Sequence, residues 1–483
     1  MSPASPAEGF LALDQGGHSS RALVFAGDGR LVAEAAVPVR TLQGPEGHVE
    51  HDPEELVASL RAAIDAACAH LPAGQRLEAA GLATQRSSLA CWDRHTGAAL
   101  SPIISWQDRR NAAWLAGLAP SAQRIRELTG LVVTPHYGAS KMRWCLEHLP
   151  AVRDAAKDGR LAMGPLASFL ACRLLPGHPL FADPANASRT QLWSLATRDW
   201  SPELAALFGI DTAVLPRAVP SRHDYGLLPT PRGDVPLTVV TGDQSAAPFA
   251  FGALDPATGY VNLGTGAFVQ RAVAGALPAA PRLLVSVVWS TATRVDYLLE
   301  GTVNGAASAL DWLAVREAMP VAALLAEADR ALAAGEAPPL FLNGVSGLGA
   351  PFWVSDLGSR FIGGGSPGAR VLAVLESIAF LVQANLEEMT PHGPPLSRLL
   401  VTGGLSANDY LCRCLATVSG LRLERSTEPE ATARGLARLV AGSAAADWPV
   451  PPAVPVAGPA VAGLAGRYVA WRAALDQAIG GGT

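Results

Sequence analysis

Charge and thiols are scarce in this chain of 483 residues, and each scarcity excludes something. Only 16% of the residues are charged, and the formal net charge is −5. A nucleic-acid binder usually carries a basic excess, so none is expected as a partner. The six cysteines, Cys68, Cys91, Cys145, Cys172, Cys412 and Cys414, form no CxxC pair. The lone C-x-C sits in an apolar, helix-like run. Free buried thiols in a reducing cytoplasm are therefore expected, rather than a metal site or disulfide framework. Residues 1–8 lack the basic and apolar regions of a signal peptide and read as a short disordered tail. The greasiest helical pattern, residues 371–389, is interrupted by Glu376, Glu387 and Glu388, so no membrane span is expected.

Apolar residues are plentiful, at 49%, and suffice for sizeable cores in more than one domain. The chain opens with two apolar runs, 10–13 and 22–25, around the polar turn Asp14-Gln-Gly-Gly-His-Ser-Ser-Arg21. Gly16 and Gly17 let the backbone turn sharply and bring its N–H groups near a ligand. Such a turn can cradle phosphates, with Asp14 placed to hold a hydrated magnesium ion. An ordinary hairpin has the same pattern.

A third strand at 31–37 makes an antiparallel meander. Asp52-Pro-Glu-Glu55 starts a helix, with Asp52 as cap and Leu56, Leu60, Ile64 and Ala67 on one face. Strands follow at 77–84, 90–93 and 103–106, then a helix at 141–148 with Trp144 packed inside and a polar loop at 183–190. Residues 231–236 read as a linker or edge loop. A strand at 235–241 leads into Gly242-Asp-Gln-Ser245, which opens a helix.

The second half begins like the first: a strand at 260–263, the turn Gly264-Thr-Gly266, and a returning strand at 267–273. Later come a strand at 297–300, a helix at 306–313, the loop Ser346–Pro351, the helix 371–389, a strand at 399–402, the turn Gly403-Gly404 and a helix at 407–418. A last helix, about 463–478, carries Leu464, Val469, Trp471 and Leu475. Two such halves suggest a duplicated domain with a nucleotide cleft between. The expected divisions are a tail at 1–9, a first domain at 10–245 and a second at 246–483.

A family resemblance rests on ordered motifs. They are Asp14-Gln-Gly-x-x-Ser-Ser-Arg21, Gly47-x-Val-Glu-His-Asp-Pro53, Gln85-Arg86, Ile104-x-Trp-Gln-Asp-Arg-Arg110, Asn186-Ala-Ser-Arg-Thr190, Gly242-Asp-Gln244, Gly264-Thr-Gly266, Ser346-Gly-Leu-Gly-Ala-Pro351 and Gly403-Gly404. Over about 10–440 the chain resembles the FGGY carbohydrate kinases, most of all their glycerol kinase members. The resemblance implies an α/β fold of two ribonuclease-H-like domains of the actin and hexokinase type, closing over ATP, Mg2+ and a small polyol or sugar. It makes Asp243 the catalytic base; a plain helix-capping aspartate is the alternative on residues alone. Phosphoryl transfer to an alcohol needs such a base, charge neutralisation on the phosphates and donors around the transferred group.

The remaining roles follow from the same resemblance. Arg86, Trp106, Gln244 and Phe268 match acceptor-binding positions, although Trp106 and Phe268 also suit plain core packing. Asp14, with Asp243, matches the magnesium site. Gly16, Gly17, His18, Ser19, Arg21, Gly264, Thr265, Gly266, Ala307, Asp311, Gly403, Gly404 and Asn408 match nucleotide-binding positions. Six departures stand out. Ser87 replaces a glutamate and His136 a tyrosine of the acceptor pocket, which removes a carboxylate acceptor and enlarges the pocket. Gly17 and His18 replace two threonines of the first phosphate turn. Ala307 and Asp311 replace a glycine and a glutamine on the nucleotide side. The leading expectation is an ATP-dependent kinase of a small polyol or sugar. A degenerate kinase fold that binds without turnover is the alternative from another class, and an actin-like ATPase machine a third. Homo-oligomerisation stays open.

Overall fold

The computed structural model describes residues 8–480. Its frame is two large sheets. The first contains β1 (Glu8–Gln15), β2 (Ser19–Ala26), β3 (Leu31–Pro38), β4 (Arg76–Thr84), β5 (Arg222–Leu228) and β6 (Val235–Gly242), in the order β5-β6-β4-β1-β2-β3. The second contains β7 (Thr258–Leu263), β8 (Ala267–Ala274), β9 (Leu284–Ser290), β10 (Val295–Val303), β11 (Arg398–Thr402), β12 (Arg422–Ser426) and β13 (Ala453–Pro455), in the order β9-β10-β8-β7-β11-β12-β13. Each sheet repeats one plan. An antiparallel meander (β1-β2-β3, or β7-β8-β10) is extended on the far side of its first strand by two parallel strands. This duplication is the one expected from the two Gly-rich turns.

Register explains why the motifs converge. Asp14 pairs with Ala83 of β4, and Gly242 of β6 pairs with Thr84. The residues just past these strands, Arg86 and Asp243, therefore emerge beside Asp14 at one sheet edge. In the second sheet Asn262 pairs with Thr402, so Gly264 and Gly403 leave neighbouring strand ends together. Ligands of α/β sheets characteristically bind at such carboxyl ends.

Each sheet has its own apolar core. A further core joins the two halves: Phe10, Ala12 and Phe25 of the first sheet pack with Leu436, Val440 and Trp448 of the C-terminal part, and with Trp289 and Leu298. The helix Ala431–Ala441 thus lies on the first sheet. A small five-stranded sheet in the first half presents the segments around Ser87 and Trp106.

Several local expectations are corrected. Residues 1–7 of the expected tail lie outside the described residues, while Glu8 and Gly9 already belong to β1. The polar stretch 183–190 is a buried helical turn, Pro184–Ala187, followed by a 3-10 turn. Asp183 caps it by accepting from both the backbone and side-chain N–H of Asn186. Trp144 is half-buried rather than packed inside. It lies between the Arg110 guanidinium, 4.4 Å from the ring centroid, and the stacked ring of His148. Val469 is 68% exposed, so it is not on the core face of its helix. Residues 367–392 are long and apolar enough to cross a membrane, yet 89% of their most apolar window is buried inside the protein. Glu376 sits there as a buried, paired charge, held by Arg467 and the Tyr410 hydroxyl.

Candidate active site

The turn Asp14–Arg21 is braced by its own hydrogen bonds. Gly16 N–H donates to the Ser19 carbonyl (3.0 Å), and the Gln15 amide donates to the Gly16 carbonyl (2.8 Å). The backbone around Gly17 and His18 is tied to the rim: the Thr41 hydroxyl donates to the Gly17 carbonyl and Val39 N–H to the His18 carbonyl. His18 itself is exposed. A Cβ on Gly17 would meet only the Gln85 Oε1, at 4.0 Å, so glycine is not sterically required there.

Asp14 and Asp243 lie near one another at strand ends of the first sheet. Burial, and next the negative charge of Asp243, push the Asp14 carboxyl up to about 7, against the pull of Arg21. Burial also raises Asp243, opposed by the positive charge of Arg86 and by a hydrogen bond from Gln244 N–H (2.6 Å). Two neighbouring carboxylates are hard-oxygen donors of the kind that suit Mg2+. Arg21 is held by a second-half residue: its Nη1 donates to both oxygens of Glu430 (2.7 and 2.5 Å).

Arg86 is 6% exposed, and its stem crosses Gly242 closely. Its Nη1 donates to Glu300 Oε1 (2.8 Å), and its Nη2 to Gln244 Oε1. The other Glu300 oxygen accepts from Arg189 Nη1, also at 2.8 Å. The two guanidiniums offset the burial of Glu300 and hold its carboxyl down at about 2. Ser87 follows Arg86 with φ +66°, and its buried hydroxyl has no partner. Trp106 is 37% exposed, so its ring is not part of the buried core. The His136 ring lies 5.6 Å from it, centroid to centroid. His136 is kept neutral by burial and by Arg189, Lys141, Arg109 and Arg86. Phe268, Gln244, Gln270 and Gly403 line one cavity of about 460 Å³ between the halves.

On the nucleotide side, the Gly264–Gly266 turn is closed by Gly264 N–H on the Gly266 carbonyl (2.9 Å). Thr265 projects exposed, with its hydroxyl unused. Ala307 and Asp311 lie on the first turns of the helix Ala307–Glu317. Ala307 N–H is spent on the Gly264 carbonyl (3.1 Å), while Asp311 is exposed. Gly403 has φ +87°, and a Cβ there would meet the Leu263 carbonyl oxygen at 2.5 Å, so only glycine fits. Gly404 carries no such demand. Asn408 caps the helix Asp409–Ser419, its side-chain oxygen accepting from Leu411 N–H (2.8 Å).

The motifs missed Glu300, Arg189, Gln270, Glu430 and Lys141. An acid in the apolar run Leu298-Leu-Glu-Gly301 was the available signal for Glu300. Arg189 stood within a quoted motif without a role. Lys141 gave none; its ammonium is buried against the Ser105 and His136 carbonyls (2.7 and 2.9 Å), and burial lowers it to about 7.

Two duplicated α/β halves, each with a Gly-rich turn at its strand ends, make up a two-domain fold of the actin and hexokinase class. The comparisons make this specific. The profile of the FGGY family of carbohydrate kinases, N-terminal domain, matches residues 10–259, and that of its C-terminal domain matches residues 259–445. A glycerol kinase of Symbiobacterium thermophilum is 36% identical over 452 residues, spanning 91% of this chain and 90% of that one. The structure of Plasmodium falciparum glycerol kinase with ADP superposes with a TM-score of 0.87 at 21% identity, covering 98% of both chains. A xylulose kinase from Rhodospirillum rubrum gives 0.81 at 21% identity, covering 96% of this chain and 97% of that one. The chain belongs to the FGGY family of carbohydrate kinases. It is an enzyme that transfers a phosphoryl group from ATP to a hydroxyl of a sugar or polyol.

Proposed function

We propose that the acceptor is a polyol or sugar somewhat larger than glycerol, phosphorylated with Asp243 as general base. The observation that carries this reading is the convergence of Asp243, Arg86 and Gln244 beside Asp14 at one cleft edge. Asp243 accepts the proton of the acceptor hydroxyl as its oxygen forms a bond to the terminal phosphorus of ATP. The bond from that phosphorus to the bridging oxygen breaks, and ADP leaves. Asp14 and Asp243 would hold Mg2+, which supplies neutralisation of phosphate charge. The turns at Gly16–Arg21 and Gly264–Gly266, with the Thr265 hydroxyl, give donors to the phosphates. Gly403, Gly404 and the Asn408 amide seat the adenosine. The free thiols suit a reducing cytoplasm.

The acceptor end supports the altered specificity. Ser87 offers a neutral hydroxyl where a carboxylate acceptor is otherwise expected. His136 presents a neutral imidazole against Trp106. A site that loses a hydrogen-bonding partner discriminates strongly against the ligand that used it. The test is ADP release across a panel of glycerol, erythritol, xylitol, xylulose and gluconate, for the wild type and Asp243→Asn. We expect preference for an acceptor longer than glycerol. Asp243→Asn should lower kcat by about 10²–10⁴-fold, with ATP binding within twofold. Magnesium-dependent ATP binding without turnover on any acceptor supports a binding protein instead.

A further inference from the structure

A buried cluster of charge bridges the halves at Glu300. Its carboxylate comes from β10 of the second sheet and is 2% exposed; both arginines it binds come from the first half and are 5% exposed. Arg86 Nη1 takes one oxygen and Arg189 Nη1 the other, each at 2.8 Å. Gln270 adds a hydrogen bond from its own amide (3.3 Å), and Ser286 accepts a second bond from Arg189 (2.8 Å). Arg189 also lies over the Tyr137 ring, 5.2 Å from its centroid.

The bridge does not end at Arg86. The other nitrogen of that guanidinium donates to Gln244 Oε1, which commits the carbonyl of this amide to Arg86. Gln244 also lines the cavity shared with Phe268 and Gln270. The orientation of Gln244 is thus set by Arg86, and that of Arg86 by a residue of the opposite half.

We propose that Glu300 is a positioning residue for the acceptor: it fixes Arg86, and through Arg86 the amide of Gln244, in the orientation the acceptor hydroxyls meet. The inference rests on the kinase reading above and adds a device to it. A pair held only to glue the halves together has no need of the relay into Gln244. With Glu300 neutralised, two buried guanidiniums would share a single weak acceptor. Arg86 would then turn to Asp243, the nearby carboxylate whose charge it already offsets. The acceptor would lose its donors, while the phosphate turns would keep theirs.

The experiment compares wild type, Glu300→Gln and Arg189→Lys in the full chain. The readouts are steady-state constants for the acceptor and for ATP, and calorimetric binding of glycerol, erythritol and xylitol. Arg189→Lys keeps the charge and disturbs the bridge mildly, so it serves where Glu300→Gln fails to fold. We expect the acceptor KM and Kd to rise at least tenfold in Glu300→Gln and about threefold in Arg189→Lys. The ATP KM should stay within twofold in both. Equal changes in the acceptor and ATP constants, or none, would overturn the proposal in favour of a purely structural clamp, while an active wild type keeps the kinase reading. A folded wild type that binds no polyol and shows no turnover overturns both.

Discussion

Gly242→Ala is a substitution with no backbone reason to matter and a side-chain reason to matter greatly. Gly242 has φ −89° and ψ 153°, which alanine adopts freely. A Cβ there would stand 2.5 Å from Arg86 Cγ and 2.6 Å from its Cδ. Normal carbon contacts are about 3.5–4.0 Å, so the stem must retreat by roughly 1 Å. It cannot swing freely, because its far end is tied to Glu300 at 2.8 Å and to Gln244. A shift of that size breaks one tie or displaces the guanidinium. Misplacing a substrate-orienting group by about 1 Å can lower turnover about 10²-fold, or about 2.7 kcal/mol of transition-state stabilisation. Overpacking should lower stability by about 1–3 kcal/mol. The assay is kcat/KM for the best acceptor of the panel, with ATP affinity and urea unfolding measured alongside. Gly358→Ala, whose Cβ meets nothing within 4 Å, should change stability by less than about 0.5 kcal/mol. A kcat/KM within threefold of wild type in Gly242→Ala refutes the placement of Arg86 at the acceptor.

Further outcomes are expected elsewhere in the site. Glu430→Gln releases Arg21 from a pair whose side chains are 39% and 25% exposed; after solvent screening the gain is about 0.5–1 kcal/mol, read as a two- to fivefold lower KM for ATP. A higher KM would mean that Glu430 supports Arg21 rather than competing with phosphate. Ser87→Glu should shift the kcat/KM ratio toward glycerol by about tenfold or more, at about 1 kcal/mol of stability for a long side chain at positive φ. An unchanged ratio removes Ser87 from the acceptor pocket. Glu300 is held at about 2 in the fold against an ordinary value of 4.5. The folded value is depressed, so its contribution is present above pH 4.5 and is lost as pH falls toward 2. This amounts to about 3 kcal/mol, visible in urea unfolding across that window and absent in Glu300→Gln.

The motif turns were legible because glycine and turn chemistry leave local marks. Gly264-Thr-Gly266 and Gly403-Gly404 announced themselves, and the repeated meander followed from them. Gly403 in particular is fixed by a positive φ that few residues tolerate. Arg189 and Glu300 were illegible for the opposite reason. Each depends on a partner more than 100 residues away, and a buried charge in a strand looks like an exposed one until its neighbours are known. The stretch 183–190 misled because polar residues suggest a loop, whereas Asp183 and Asn186 satisfy one another inside the protein. Trp144 misled by size: a large ring reads as core, but this one is wanted as a face for Arg110.

Three arginines of the first half are tied to two glutamates of the second, and the ties differ in kind. Arg21–Glu430 is half-exposed, so water and phosphate oxygens can compete for the guanidinium at small free-energy difference. Arg86–Glu300 is buried, with the second guanidinium of Arg189 on the same carboxylate, so breaking it leaves an unpaired buried charge at about 3–5 kcal/mol. Only the first tie can be exchanged for a ligand on each catalytic cycle. The second must survive the cycle, and on the proposed assignment its arginine would meet the acceptor already oriented. An enzyme that must shield ATP from water gains from this division. With Arg21 proposed at the phosphates and Arg86 at the acceptor, the phosphate side would stay exchangeable, while the acceptor side would be set before the hydroxyl arrives.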